Sequence, residues 1–336
     1  MNMEFIINLT LLSLLAMTAI AIVRIKDLFA VAMLAGLYGL LSASFFVMMD
    51  AVDVAFTEAS VGAGISTLLM LTTLAMTGRY EKTSSAYRPK LALGLVLLTG
   101  GLLIYGTMDM PSFGDPDAPV QQHVAPRYLN ESAAEIGIPN VVTSVLASYR
   151  AFDTLGEVVV IFTAGVGVLA LLMRSDLPRA PASTPVVSTS ASMHEHMVLR
   201  VVAKMLIPLI LLFGLYVQFH GEYGPGGGFQ AGVIFASAFF LYAMLFGLNA
   251  AKRVVNSTVV QVLSALGVLF YGSVGVVSLL GGANFLDYSV LSEDAIHAQH
   301  VGIIAIELGV GLTVASVMII IFFAFSGRNQ VEGGRD

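Results

Sequence analysis

The chain reads as a succession of long apolar blocks separated by short polar segments. The blocks fall near residues 5–23, 28–49, 54–77, 91–106, 155–173, 201–219, 229–249, 259–281 and 301–326. Most are about 18 to 25 residues long, the length at which a helix rising 1.5 Å per residue crosses the hydrocarbon core of a bilayer. None shows the strict apolar–polar alternation of a barrel strand, and only helices or closed barrels satisfy their own backbone in lipid. The pattern predicts an all-α integral membrane protein with about nine transmembrane helices.

Basic residues set the alternation of the connecting segments. Arg24 and Lys26 follow the first block; Arg79, Lys82, Arg88 and Lys90 follow the third. Arg174, Arg179, Arg200 and Lys204 lie between the fifth block and the start of the sixth, Lys252 and Arg253 follow the seventh, and Arg328 and Arg335 follow the ninth. Only Arg127 and Arg150 belong to the other set of loops, so 14 of the 16 Lys and Arg residues fall on one side. The positive-inside rule makes that side cytoplasmic, with the N-terminus out and the C-terminus in. No basic segment precedes the first block, which therefore reads as a retained helix and not as a cleaved signal peptide.

Polar seams divide the chain further. Residues 1–80 form a three-helix module. Residues 91–175 form a two-helix module with a long external loop, irregular where Pro and Asp crowd between Asp109 and Pro119, and with a short surface helix expected near 140–152. A Pro/Ser/Thr-rich cytoplasmic linker, 176–198, leads to a four-helix module over 199–326. Such seams suggest a fusion of once-separate membrane subunits.

Composition narrows the chemistry. Apolar residues make up 57% of the chain and charged residues 11%, against roughly a quarter charged in a soluble domain. Cysteine is absent, which excludes disulfides, thiolate metal sites and cysteine-held iron–sulfur clusters within this chain. The net charge of −6, with the basic residues in short clusters beside the spans, points to no nucleic-acid partner.

Three carboxylates fall within or beside the spans: Glu58, Glu157 and Glu307. A charge in hydrocarbon is expensive and faces a partner or a hydrated path, so these are the ion-path candidates. Glu307 is expected roughly 10 Å into its helix at 1.5 Å per residue, flanked by Gly309 and Gly311, which allow close helix approach. Glu58 and Glu157 lie nearer the external ends of their spans, where a place at the headgroup interface is the plainer reading. No Lys or Arg lies mid-span, so the chain does not carry the buried Lys–Glu pairs of a self-contained proton channel.

Around these lie weaker signals. The run Gly224, Pro225, Gly226, Gly227 and Gly228 demands a tight turn or a broken helix start, with cation contact through exposed carbonyls as the lesser reading. It is not a phosphate loop, since no Lys-Ser/Thr follows. His297 and His300 are spaced to share a helix face, and with His220 and Glu222 they compose a potential external polar cluster suited to hydrogen bonding or proton relay. Two ligands at suitable spacing do not make a metal site. Asp50, Asp53 and Asp153 make the same side acidic, which concentrates cations there or merely mirrors the positive-inside bias.

These motifs carry a resemblance. DVAFTEASVGAGIS resembles the three-helix module at the end of the large A-type component of Mrp-type Na+/H+ antiporters, and the small D-type component of membrane-bound hydrogenases. YRAFDTLGEVVVIFTAGVGVLALL is similar to the E-type module that follows it. HGEYGPGGGFQAGVIFASAFFLY, with HAQHVGIIAIELGVGLTVA, resembles the B-type component of Mrp antiporters. The three matches cover nearly the whole chain.

The resemblance implies a subunit of a multisubunit antiporter in the bacterial inner membrane, exchanging Na+ for H+ and needing no cofactor. Its partners would be the large channel-type A and D components, the small C, E, F and G components, and the lipid bilayer. Glu58, Glu157 and Glu307 match the acidic positions of their motifs. The long channel-forming portion of a full A-type component is not in this chain, so other subunits would supply it. Two rivals stand beside this reading: a membrane-arm subunit of a redox-driven hydrogenase related to respiratory complex I, and a scaffold that touches no ion.

Overall fold

The structure, a computed structural model, describes residues 3–74, 79–81, 89–112, 114–172 and 197–326. The linker expected over 176–198 lies outside the described residues apart from Met197 and Val198. Among the described residues nine helices are long and apolar enough to cross a membrane. They are α1 (Met3–Arg24), α2 (Leu28–Met48), α3 (Val52–Leu74), α4 (Pro89–Thr107) and α5 (Ala151–Leu172), followed by α6 (Met197–His220), α7 (Gly228–Phe246), α8 (Ser257–Leu280) and α9 (Ala295–Ser326). No strand occurs among the described residues; Asp27 and Tyr80 form one isolated bridge.

Polar residues in the connections start these helices. The side chains of Asp27, Asn256 and Asp294 accept backbone N–H groups of Phe29, Thr258 and Ile296 at 3.0, 2.9 and 2.9 Å, capping α2, α8 and α9. Asp27 also holds Arg79 at 2.7 Å, which ties the α1–α2 connection to the segment beyond α3. Helix α9 starts at Ala295, six residues before the expected 301, because the stretch from Ala295 to His300 is helical, capped by Asp294. Glu307 therefore sits just over three turns, about 18 Å, from its start.

Helix α9 is the mast of the fold. It packs against α8, α7 and α5, and more lightly against α3 and α6. Glycines set the spacing. A Cβ on Gly228 of α7 would overlap the carbonyl oxygen of Glu307, and one on Gly232 would stand 2.8 Å from that of Gly311. On the other flank a Cβ on Gly309 would meet the carbonyl oxygen of Gly267, in α8, at 2.9 Å. Lipid tails are as apolar as leucine, so helix association in a bilayer depends on such close contact more than on hydrophobic burial.

Two buried tyrosines fix the α8–α9 hairpin to the remaining helices. Tyr271 donates to the carbonyl of Ala151 and Tyr288 to that of Ala147, each at 2.7 Å. Both acceptors flank the start of α5, where the chain passes through a π-helical turn, Val145–Tyr149. The expected irregular loop between α4 and α5 proves more ordered than its Pro and Asp content suggested. It contains the helix Ala125–Glu135, opened by Pro126, and the short helices Pro119–Gln122 and Val141–Ser144.

The peripheral helices have less company. Helix α1 packs along α2, and α2 along α3. In the residues of α4 whose side chains are described, all are exposed except the half-buried Gly100, and no described helix packs along it. Substituting Gly228→Ala is therefore expected to cost about 1–3 kcal/mol by overpacking, while Gly100→Ala, with open space around it, leaves stability unchanged or slightly raised. Thermal unfolding of the detergent-solubilised protein checks both; equal melting temperatures for the two variants would contradict the glycine contact.

Candidate functional site

At one end of the bundle the connections α2–α3, α4–α5, α6–α7 and α8–α9 meet. Asn140 is their clasp. Its side-chain amide donates to the carbonyls of Gly221 and Gly224, both at 3.1 Å, and to Asp53 Oδ1 at 3.3 Å. Its side-chain carbonyl oxygen caps Val142 at 3.0 Å, and its backbone N–H donates to the carbonyl of Glu222 at 3.0 Å. Thr143 adds a hydroxyl bond to Gly221 at 2.6 Å, and Ser148 one to Gln299 of α9 at 2.7 Å.

The clasp presses the glycine run onto α9. Gly227 has φ 109°, a left-handed value that favours glycine, and the chain turns there into α7. A Cβ on Gly227 would stand 3.0 Å from Glu307 Oε1, and one on Gly221 would stand 3.2 Å from it. The run thus builds the wall around Glu307, as a tight turn and helix start, which is the plainer of the two expected readings. Glu307 is 9% exposed.

Beneath this wall lies a cavity of about 350 Å³ between α3, the α4–α5 connection, α5, α7 and α9. Glu157 and Glu307 both line it, together with Asp53, Thr57, Thr143 and Gln230. Gln230 donates to the Thr57 hydroxyl at 2.8 Å, which leaves its amide oxygen on the same side of Gly227 as Glu307 Oε1. Among the described residues no Lys or Arg lines it. Glu157 is exposed in this chain, so it stands at the open rim while Glu307 stands at the enclosed wall. Such a set of oxygens, two of them on intramembrane carboxylates, suits a proton or a small hard cation.

The other candidates are placed differently. Glu58 does not line the cavity. Its carboxylate reaches forward along α3 over Gly62, which lies in a π-helical segment, Ala59–Ile65. Asp50 lies with Asp53 in a shallow neighbouring hollow beside Asn140 and Tyr223. Asp153 is held by Arg150 at 2.5 Å.

The histidines separate. His300 Nδ1 lies 3.0 Å from Glu222 Oε2, whereas His297 is exposed and takes only a backbone cap from Asp294 at 3.3 Å. His220 stacks on Tyr216 with ring centroids 4.9 Å apart and does not join the Glu222–His300 pair. No group of three or more metal-ligating side chains converges among the described residues.

A second polar knot braces the connection from outside. Glu135 accepts from the Tyr149 hydroxyl and from Arg127, the latter at 2.9 Å. These partners, the tyrosine foremost, hold its carboxyl below the usual carboxylate range. Burial, followed by the bond to Glu135, pushes the Tyr149 hydroxyl up to about 12.

Fold and cavity together define a multi-pass helical membrane protein with acidic side chains bordering an intramembrane cavity. A family described as a domain related to the MnhB subunit of Na+/H+ antiporter matches residues 198–320. Two further families, described as the D and E subunits of MBH, match residues 13–79 and 101–189. The chain belongs to the MnhB-related family of antiporter subunits.

It is 36% identical to a putative antiporter subunit mnhB2 of Staphylococcus haemolyticus over 140 residues, 39% of this chain and 94% of that one. It is 26% identical to the A/B subunit of a probable K(+)/H(+) antiporter of Rhizobium meliloti over 320 residues, 87% of this chain but only 31% of that one. Its structure is similar to a chain of the Mrp complex from Dietzia sp. DQ12-45-1b, with a TM-score of 0.75 and 25% identity, covering 96% of this chain and 35% of that one. The chain thus spans about a third of the length of these two longer relatives.

Asn140, Thr143, Thr57 and Gln230 escape a reading of the sequence. Neutral polar residues beside apolar blocks carry no signal of their own; only the convergence of the connections reveals them. Replacing Asn140 by Ala is expected to cost about 1–3 kcal/mol, from the Gly224 carbonyl left without its donor, one of two bonds to Gly221 removed and a lost cap. Thermal unfolding, with limited proteolysis of the 221–227 loop, measures it. An unchanged midpoint would show that the clasp is dispensable.

Proposed function

We propose that the chain is a membrane component of a multisubunit monovalent cation (Na+)/proton antiporter of the bacterial plasma membrane, with its N-terminus out and its C-terminus in. Glu307 and Glu157 hold the cation in the cavity. The observation that carries this reading is that two carboxylates from different helices open onto one largely apolar cavity with no basic residue among its described lining residues.

An ionised carboxylate taken out of water costs several kcal/mol unless it is neutralised. A sodium ion or a proton neutralises Glu307, and each excludes the other. Exchange follows from that competition when the two ions reach the site from opposite sides. Asp53 and the Thr57–Gln230 pair supply further oxygens at the acidic end, which this orientation makes external. Glu58, half-buried beside its π-helical segment, is a separate acidic station on the first module.

The partners are the large channel-type A and D components, which supply proton flow, and the small C, E, F and G components. The exposed apolar faces of α1 and α4 meet these partners or lipid. The chain acts as a transporter component and catalyses no chemical conversion. The matches to the two MBH families favour the second reading, a redox-driven membrane arm. The likeness to an Mrp complex chain over 96% of this chain supports the antiporter instead.

The test places Glu157→Gln and Glu307→Gln, singly and together, in the complete complex in a host lacking its own antiporters. Cation-induced proton release is followed in everted vesicles, and assembly is checked by co-purification. Each single variant is expected to lose about tenfold or more of the exchange rate, with the double no worse than the weaker single, as for groups acting as one unit. Full exchange in an assembled double variant would contradict the shared site.

A further inference from the structure

We infer that Glu222 and His300 form the proton path between the cavity carboxylate Glu307 and the acidic end of the bundle. The inference rests on the cation-site reading and adds to it a separate route for the proton.

The geometry begins on α9. His300 and Glu307 are seven residues apart, two helical turns, and so lie on one face of that helix. The loop from Gly221 to Gly227 runs along this face. Glu307 Oε1 lies against Gly221 and Gly227, and Glu222, the residue after Gly221, reaches His300 Nδ1 at 3.0 Å. Glu222 is the only carboxylate of that loop. It is 7% exposed, and its Oε1 has no hydrogen-bond partner among the described residues. A buried carboxylate oxygen left without a donor is costly, and a proton arriving there relieves the cost. The backbone does not wander: Asn140 N–H holds the Glu222 carbonyl at 3.0 Å.

The outer end of the path is the imidazole. The His300 side chain is 28% exposed, against 9% for that of Glu222, so the ring bridges buried and accessible surroundings. Imidazole accepts a proton at one nitrogen and releases another from its second nitrogen near neutral pH. A proton leaving Glu307 moves to Glu222, then to His300 Nδ1, while one departs from Nε2. Glu222 and Glu307 share no direct hydrogen bond, so a water carries the first step.

The titratable groups on the elements packed around the pair include Asp53 on α3, Asp153 and Glu157 on α5, His220 at the end of α6, Tyr271 on α8, Tyr288 on the 3-10 turn before α9, and Tyr149 and Arg150 at the π-helical turn, where Arg150 is paired with Asp153. The three phenols are engaged with Ala151, Ala147 and Glu135, and no Arg or Lys forms an ion pair with Glu222 among the described residues. His297, one turn outward on α9, is exposed and continues the stripe to the surface.

The test uses the assembled complex in everted vesicles and compares His300→Gln, Glu222→Gln and His300→Gly with the unaltered chain across the neutral to alkaline range. Cation binding is read separately, as protection of Glu307 from carbodiimide by Na+ in the purified complex. The path predicts intact protection, exchange lowered about tenfold or more, a flattened pH profile, and partial rescue of His300→Gly by added imidazole. Wild-type rate and profile in both Gln variants would overturn it, as would loss of Na+ protection in step with exchange, which marks a structural role. If Glu222→Gln fails to assemble, the half-buried His300→Gln decides alone. Full exchange by Glu307→Gln would remove the cation site itself; an inactive Glu307→Gln beside unaltered His300→Gln and Glu222→Gln would remove only the proton path.

Discussion

The close seating of the 221–232 segment on α9 is the contact on which the site depends. Gly228 and Gly232 bring α7 to backbone contact with α9, and Gly221 and Gly227 leave just enough room for the Glu307 carboxylate. In lipid this approach has no hydrophobic drive behind it, so it is secured by polar bonds at the bundle end, through Asn140 and Thr143. The loop that shapes the wall is thus held by the neighbouring connection as well as by its own backbone bonds to the end of α6. Thr143 belongs to both the clasp and the cavity lining, so the two share a side chain.

In the proposed function, enclosure is what turns an ordinary side chain into an exchange site. A surface glutamate is indifferent to whether a sodium ion or a proton is near it; water solvates its charge. Behind glycine backbone and apolar helices, Glu307 needs one of them. Glu157, at the rim, is exposed, so the cavity opens toward the periphery of this chain. The same logic explains the polar partners chosen nearby. Thr57 and Gln230 offer oxygens without a competing positive charge, and the basic residues of the chain stay away from the lining.

Much of the fold is legible in the sequence. Apolar block length places nine helices within a few residues, because the bilayer imposes length directly. Glu307 and the glycine run stand out, since a carboxylate in hydrocarbon and five special residues in a row each need a physical reason. The start of α9 does not: polar residues from Asp294 to His300 hide a helix extension, and Glu307 lies deeper along its helix than block boundaries imply. The helix Ala125–Glu135 is hidden in the same way by neighbouring proline and aspartate. Pairings are out of reach. Sequence spacing puts His297 beside His300, yet only His300 meets Glu222, while Glu58 points along its own helix and Glu157 lines the same cavity as Glu307. Distance along the chain does not encode those meetings.

The most direct test of the shared site is carbodiimide labelling of the purified, assembled complex, read residue by residue by mass spectrometry with and without Na+. Buried protonated carboxyls react, and a bound cation shields them. A single site predicts that Na+ protects Glu157 and Glu307 together, with one concentration dependence, while Glu58 follows its own. Labelling of Glu157 and Glu307 that is indifferent to Na+, or protected at unrelated concentrations, would contradict a single cation site between α5 and α9.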